Sequence, residues 1–283
     1  MQAEATMTWR EMVGGDWFAW RGANRGLVLA VWWNVALLVL SAAALPFDHR
    51  RILGLNPWVK PIKFEVSVIL FLLTMAALLA ALGRRGDWPK ARRRLAWGFG
   101  VAMIVENTII AMQSARGVRS HMNIATPFDG MAFGVMGAFI AFNTVLVAVL
   151  LVLYLKAGSG RGSGLPMAVT WGIALGLAMT LAGSFEGVFM IVRYWGHTVG
   201  GKDGGPGLAF VNWSTQHGDM RVAHFFALHA LQAFVLAGWG MTKVPVKAWL
   251  QTAATVGFAA VYGGAVWAMF EQAVRGEAFW TGR

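Results

Sequence analysis

Cysteine is absent from the chain, and charge is scarce in it. Without a thiol there can be no disulfide, no zinc–thiolate site, no Cys-ligated iron–sulfur cluster, no c-type haem and no thiol nucleophile. Only 13% of the 283 residues are Asp, Glu, Lys or Arg. Soluble domains carry about 25%, so an ordinary soluble domain is excluded. Proline is limited to 8 residues and is scarce inside the long apolar runs. The interrupted helices of many transporters therefore leave no mark here. No cleavable leader is expected, because residues 1–24 are polar and hold Glu4, Glu11 and Asp16.

What is abundant is apolar length. Hydrophobic residues make up 57% of the chain and the mean hydropathy is +0.56. Seven runs reach the ~20 residues that an α-helix needs to cross a bilayer: 25–45, 62–82, 95–114, 131–155, 167–192, 222–241 and 248–270. The expected fold class is all-α, a polytopic integral membrane bundle of about seven transmembrane helices. Residues 1–24 read as an amphipathic interfacial segment, with Trp9, Met12, Val13, Trp17 and Trp20 on one helical face. Residues 25–275 form the transmembrane domain, and 276–283 a tail. Small residues at four-residue spacing, Gly130/Gly134, Gly172/Gly176 and Gly183/Gly187, predict close helix packing.

The formal charge is +11, but Lys and Arg lie mostly in short connections between spans. The expected partner is the bilayer with its anionic headgroups, not nucleic acid. Basic residues number 13 on the N-terminal side of the spans and 11 on the other. The dense cluster Arg84, Arg85, Lys90, Arg92, Arg93 and Arg94 favours a cytoplasmic N-terminus and an outside C-terminus.

Ionisable residues inside the spans gather toward the face opposite the N-terminus: Glu65, Glu106, Glu186, His224, His229 and Glu271. The loops on that face add His121, Asp129, His197, His217, Asp203 and Asp219. A charge at mid-membrane costs ~2.5–3.5 kcal/mol or more, so such a group marks a site or an ion path. Glu106 and Glu186 lie ~15 Å and ~10 Å deep, where a carboxylate has to be protonated, paired or metal-bound. Arg116, Arg119 and Arg221 are the available counter-charges. Glu65 and Glu271 lie near the edge, where snorkelling suffices.

His224 and His229 are five apart, about 140° around an ideal helix. They do not form an i, i+4 chelating pair, whereas His229 and Gln232 share a face, as do Arg221 and His224. Imidazoles and carboxylates without thiolate suit zinc, iron, manganese or copper, and a b-type haem needs only one or two axial histidines. No HExxH or ExxH occurs. The glycine-rich segment 200–207 matches no Walker A pattern and is expected to be a cap loop. The seventh span has neither the lysine a retinal Schiff base requires nor a histidine pair of the ceramidase type.

Three blocks occur together: 56–63 (NPWVKPIK), 113–129 (QSARGVRSHMNIATPFD) and 196–232 (GHTVGGKDGGPG…NWSTQHGDMRVAHFFALHALQ). The combination resembles a group of uncharacterised bacterial polytopic membrane proteins. The resemblance implies a bacterial inner-membrane location and carries no activity. Arg116, His121, Asp129, His197, Asp203, Asp219, Arg221, His224 and His229 stand at its motif positions.

The leading expectation is a membrane-embedded metal- or haem-dependent oxidoreductase acting on a lipid-like substrate or quinone. His121, His197, His224 and His229 would hold the cofactor, with Glu186 as a further metal ligand. Glu106, Asp129, Asp219 and Arg221 would carry the catalytic proton and charge work. The alternatives are a proton-coupled transporter or sensor, and an accessory subunit without chemistry of its own.

Overall fold

The computed structural model describes residues 24–85, 88–157 and 165–281. The interfacial segment expected at 1–24 lies outside them, apart from Asn24. Seven helices long and apolar enough to cross a membrane follow in order: α1 Arg25–Ala44, α2 Val59–Arg85, α3 Pro89–Arg116, α4 Pro127–Lys156, α5 Met167–Phe189, α6 Met220–Met241 and α7 Ala248–Val274. The fold is an all-α polytopic bundle. Its one two-stranded ribbon pairs β1 Thr198–Val199 with β2 Gly218–Asp219, antiparallel.

Several helices outrun the apolar runs that announced them, and the reason is local. Pro89 and Pro127 occupy the first helical turn of α3 and α4, where a missing N–H costs nothing and the fixed φ favours the helix. Asn56 does the same work for α2. Its side-chain oxygen accepts from the Trp58 N–H at 2.9 Å, while its amide donates to the Leu45 carbonyl at 3.1 Å. The segment 56–65, read from sequence as a loop, is therefore mostly helix. Lys60 and Lys63 fall in the first turns of α2, one turn apart on one face. Asp129, also read as a loop residue, is in the first turn of α4. At its far end α5 widens into a single π-turn, Met190–Tyr194, before a left-handed Trp195 (φ 47°) turns the chain. Such turns often mark functional sites.

The helices divide into two packed units. In the first, α3 is the central and most buried helix, against α1, α2 and α4. Polar pairs tie this unit together: Asn34 with Asn107, Trp33 Nε1 with Thr108 Oγ1 at 2.9 Å, and Ser41 Oγ with Glu65 Oε1 at 2.9 Å. In the second, α5, α6 and α7 pack mutually, and α5 with α6 is the most extensive helix pair in the molecule. Glycine makes that approach possible. A side chain at Gly172 would strike the Phe234 backbone, at Gly176 the Leu231 backbone, and at Gly183 the Ala227 side chain; at Gly238 on α6 it would strike Ala168. Gly130 and Gly134 behave differently: a Cβ at Gly134 meets nothing within 4 Å, so the close packing expected there does not occur. One apolar core, including Leu72, Phe99, Leu150, Leu177 and Leu231, runs through both units.

Candidate functional site

At the membrane face opposite the N-terminal end of α1, segments 45–58, 117–126 and 195–219 fold over the seam between the two units. They are knitted by side-chain to main-chain hydrogen bonds. Asn212 donates to the Leu53 carbonyl at 3.0 Å, and Arg50 donates to the Ala115 carbonyl at 3.1 Å. All five described non-glycine residues at positive φ, Leu53, Met122, Trp195, Phe210 and Asn212, belong to these segments. Backbone strain of this kind concentrates at functional sites.

Four arginines of this face are each matched to an aspartate. Arg116 meets Asp129 at 2.5 Å, Arg119 meets Asp203 at 3.3 Å, Arg221 meets Asp219 at 2.5 Å, and Arg50 meets Asp48 at 2.6 Å. Thr126 caps α4, its Oγ1 accepting the Asp129 N–H at 3.1 Å, and its hydroxyl donates to the Asp129 carboxylate at 2.6 Å. Gln113 donates to the same carboxylate at 2.9 Å. Asp219 caps α6, accepting from the Arg221 N–H at 3.0 Å and the Ser214 N–H at 2.8 Å. Arg221 grips that carboxylate with two nitrogens and reaches the Asn212 carbonyl with one of them. Asp129, Asp219 and Arg221, expected to act in chemistry, thus hold helix ends and loops in place. Arg116, Arg119 and Arg221, the counter-charges available to Glu106 and Glu186, are paired with Asp129, Asp203 and Asp219 instead.

Glu106 faces an imidazole. His121 Nε2 lies 3.5 Å from Glu106 Oε1, and on the other side of the ring Nδ1 lies 3.1 Å from Lys60 Nζ and 3.1 Å from Ser120 Oγ. Lys60, His121 and Glu106 form a line from the start of α2 to the middle of α3. The network assigns the ring as the Nε2–H tautomer, accepting from Lys60 and pointing its proton at Glu106. Burial, then the charges of Lys60, His197, His224 and Arg119, push the His121 pKa well below the ordinary histidine value. Phe64 and Phe133 wall the ring at 5.9 and 6.3 Å between centroids. Glu106 is 2% exposed, and its Oε2 has no hydrogen-bond partner among the described residues. Lys63, one turn on from Lys60, donates to the Val211 carbonyl at 3.2 Å in the strained 210–212 turn. Among the described residues neither lysine has a carboxylate within 4.0 Å, which leaves the seam with cations not matched by anions.

Two further histidines join from the second unit. His197 Nδ1 contacts Asp203 Oδ2 at 2.9 Å, and the N–H groups of His197 and Thr198 donate to Oδ1 at 3.0 and 2.9 Å. Burial opposes ionisation of Asp203, but the His197 ring and these backbone donors outweigh it and hold the carboxyl below the usual carboxylate range. Burial lowers the His197 pKa, and Asp203 recovers only part of the loss. His224 donates from Nδ1 to the Gly183 carbonyl at 2.8 Å, its ring against the space left by Gly187. With Nδ1 engaged, His197 and His224 each have Nε2 available. His229 packs on Phe225, 4.4 Å between ring centroids, beside Gln232, which donates to Thr74 on α2 at 3.2 Å. Glu186 is 9% exposed and has no ion pair among the described residues.

Of the residues expected from sequence, His121, His197, His224 and Glu106 converge, and Arg119 and Arg221 border them. Among the described residues no three His, Asp or Glu side chains are set together as a metal ion requires, so the five-ligand set expected from His121, His197, His224, His229 and Glu186 is not assembled. Glu65, expected to snorkel, is fully buried on Ser41. Glu271 is 41% exposed and paired with Arg275, as its position near the edge predicts. Sequence reasoning missed Lys60 and Lys63. Their signal was the KPxK spacing, which puts both on one helical face once the segment is recognised as helix. Comparison with protein-family models, with curated proteins and with solved structures finds no match.

Proposed function

We propose that this is a proton-handling membrane protein, a proton-coupled transporter or sensor, in which Lys60, His121 and Glu106 form the working relay. The observation that carries this reading is the line of contacts Lys60–His121–Glu106, ending on a mid-membrane carboxylate oxygen with no partner among the described residues. A proton delivered to Glu106 cancels the negative charge that faces Lys60 across the imidazole. The seam between the two units then carries more unbalanced positive charge. Such a change biases the packing of one unit against the other, which is how a local titration acquires a global readout.

The basic loop between α2 and α3 supports a cytoplasmic N-terminus, and the shared motifs support a bacterial inner membrane. In that orientation the relay opens toward the outside, where the pH varies. Because the chain has no cysteine, Lys247→Cys and Gly205→Cys can be labelled from either side without background. Exclusive outside labelling of Lys247→Cys would reverse the orientation.

The relay is tested by infrared difference spectroscopy of the protein in lipid during a pH step. A carboxyl band that responds to pH in the parent, vanishes in Glu106→Gln and moves in Lys60→Met is the expected result. A band unaffected by Glu106→Gln overturns the assignment.

The second reading is a haem-dependent oxidoreductase, favoured by one observation: His197 and His224 each have Nδ1 fixed by a hydrogen bond, the arrangement that would orient an imidazole to hold a haem through Nε2. One or two such donors fit a b-type haem and do not fit a chelated metal ion, which needs more. A bound haem would supply one-electron chemistry, with His197 and His224 holding it. A Soret band in gently purified protein that is lost in His224→Ala would favour this reading over the first. A colourless folded protein would remove it.

A further inference from the structure

Away from the seam, at the opposite end of the first unit, a groove of about 550 Å³ lies between α3 and α4, lined by Arg93, Arg94, Trp97, Gly98, Val101 and Phe142. We infer that this groove is a binding site for one anionic phospholipid, phosphatidylglycerol in a bacterial membrane, with its phosphate on Arg93 and Arg94 and an acyl chain lying along Trp97, Gly98, Val101 and Phe142.

Helical spacing orders the lining. Arg93, Trp97 and Val101 recur every fourth residue, and Arg94 stands one turn before Gly98, so two stripes run from charged to apolar down one face of α3. The helix has 28 residues, about 42 Å at 1.5 Å per residue, against a hydrocarbon core of about 30 Å. Centred in that core, α3 leaves roughly its first four residues outside. Arg93 and Arg94 then start just inside the hydrocarbon boundary, where their long side chains reach back to the headgroups, with Trp97 a turn below near the interface, where tryptophan is favoured. Guanidinium groups bind phosphate through paired N–H donors.

Gly98 shapes the floor. A side chain there would run into Leu146 on α4, with Phe142 beside it, so glycine lets α4 come close and leaves the trough beside the crossing. The walls face out: Trp97, Val101 and Phe142 are each more than 40% exposed. Arg93 and Arg94 are likewise exposed and take part in no ion pair among the described residues. Unpaired cations above an apolar trough complement an anionic amphiphile of this shape, and the volume falls within the range of small-molecule sites.

Native mass spectrometry of the delipidated full chain in detergent tests the inference, titrating dioleoylphosphatidylglycerol against dioleoylphosphatidylcholine. The expected result is one phosphatidylglycerol retained in preference to phosphatidylcholine. Arg93→Gln with Arg94→Gln should weaken that binding by about 10- to 30-fold, at about three- to fivefold per lost charge. Val101→Phe, which fills the trough without touching charge, should weaken it several-fold. Lys156→Gln with Lys247→Gln removes two charges from the same membrane face away from the groove and should change it less than about twofold. Equal retention of the two lipids, an equal loss in the Lys156/Lys247 variant, or no effect of Val101→Phe would each overturn the site. Thermal unfolding of every variant, all at exposed positions, separates lost binding from lost fold.

Discussion

The two halves of the bundle use the same two means of packing in different proportion. In the α1–α4 unit, interhelical hydrogen bonds recur: Asn34 with Asn107, Trp33 with Thr108, Ser41 with Glu65, and Tyr154 with the Leu78 carbonyl at 2.7 Å. Glycine serves there too, where Gly26 on α1 meets Gly100 on α3, but in the α5–α7 unit it recurs along the helices: Gly172, Gly176 and Gly238 face partner backbone and Gly183 the Ala227 side chain. Lipid tails are as apolar as leucine, so close van der Waals contact and polar contacts are the two ways to join helices in a membrane. The difference teaches where the molecule can move. A glycine-packed pair has little slack, while hydrogen-bonded helices can exchange partners. Lys60 on α2 stands in the hydrogen-bonded unit, Glu106 on α3 stands on a helix that also meets α1 through Gly26 and Gly100, and His224 on α6 stands in the glycine-rich unit.

The contrast can be broken in order of expected effect. Asp219→Ala should be the most damaging, since it leaves Arg221 without its carboxylate and uncaps α6; about 3–5 kcal/mol is expected for an ion pair broken this way, read as thermal unfolding in detergent. Gly172→Val should follow at up to about 3 kcal/mol, because the added atoms meet the Phe234 backbone, which cannot yield. Gly134→Val is its control and should cost almost nothing, as its Cβ faces open space.

Acid should weaken the seam next. The His121 pKa is depressed in the fold, so as the pH falls below about 6.5 the unfolded chain binds a proton that the folded chain refuses. Stability is full above that pH and declines toward the folded-state pKa, at up to ~1.4 kcal/mol per pH unit. Lys60, Arg119, His197 and His224 act on the ring in the same direction as burial, while Glu106 faces it. In His121→Asn the decline should be shallower, and an unchanged slope would place the acid sensitivity elsewhere. Smallest is the Asn34–Asn107 pair, where a double-mutant cycle with leucine should return a coupling of about 0.6 kcal/mol and at most about 1.7. A coupling as large as the Gly172→Val effect would erase the distinction between the units.

Much of this was legible in residues taken in order. Seven apolar runs announced seven helices, and Gly172, Gly176 and Gly183 announced the tight pair. The gathering of His121, His197, His224 and Glu106 at one face followed from counting spans, because alternation fixes the side on which each loop emerges. The ion pairs and helix-end contacts of Asp129 and Asp219 were not legible, since a carboxylate near a span looks the same whether it holds a helix end or works in a site. Lys60 was missed because NPWVKPIK contains two prolines and reads as loop until Asn56 is seen to start the helix.

Composition and apolar length by themselves determined the membrane class, the number of spans and their alternation, for the physical reason that hydrocarbon accepts only backbone that satisfies its own hydrogen bonds. Tertiary structure alone decided which charge meets which. Arg116, Arg119 and Arg221 could each have served Glu106, yet each is taken by an aspartate brought near by a helix cap or a loop turn, and Lys60 is what remains. Pairing of that kind depends on distances of a few ångströms between segments tens of residues apart, and no spacing along the chain encodes them.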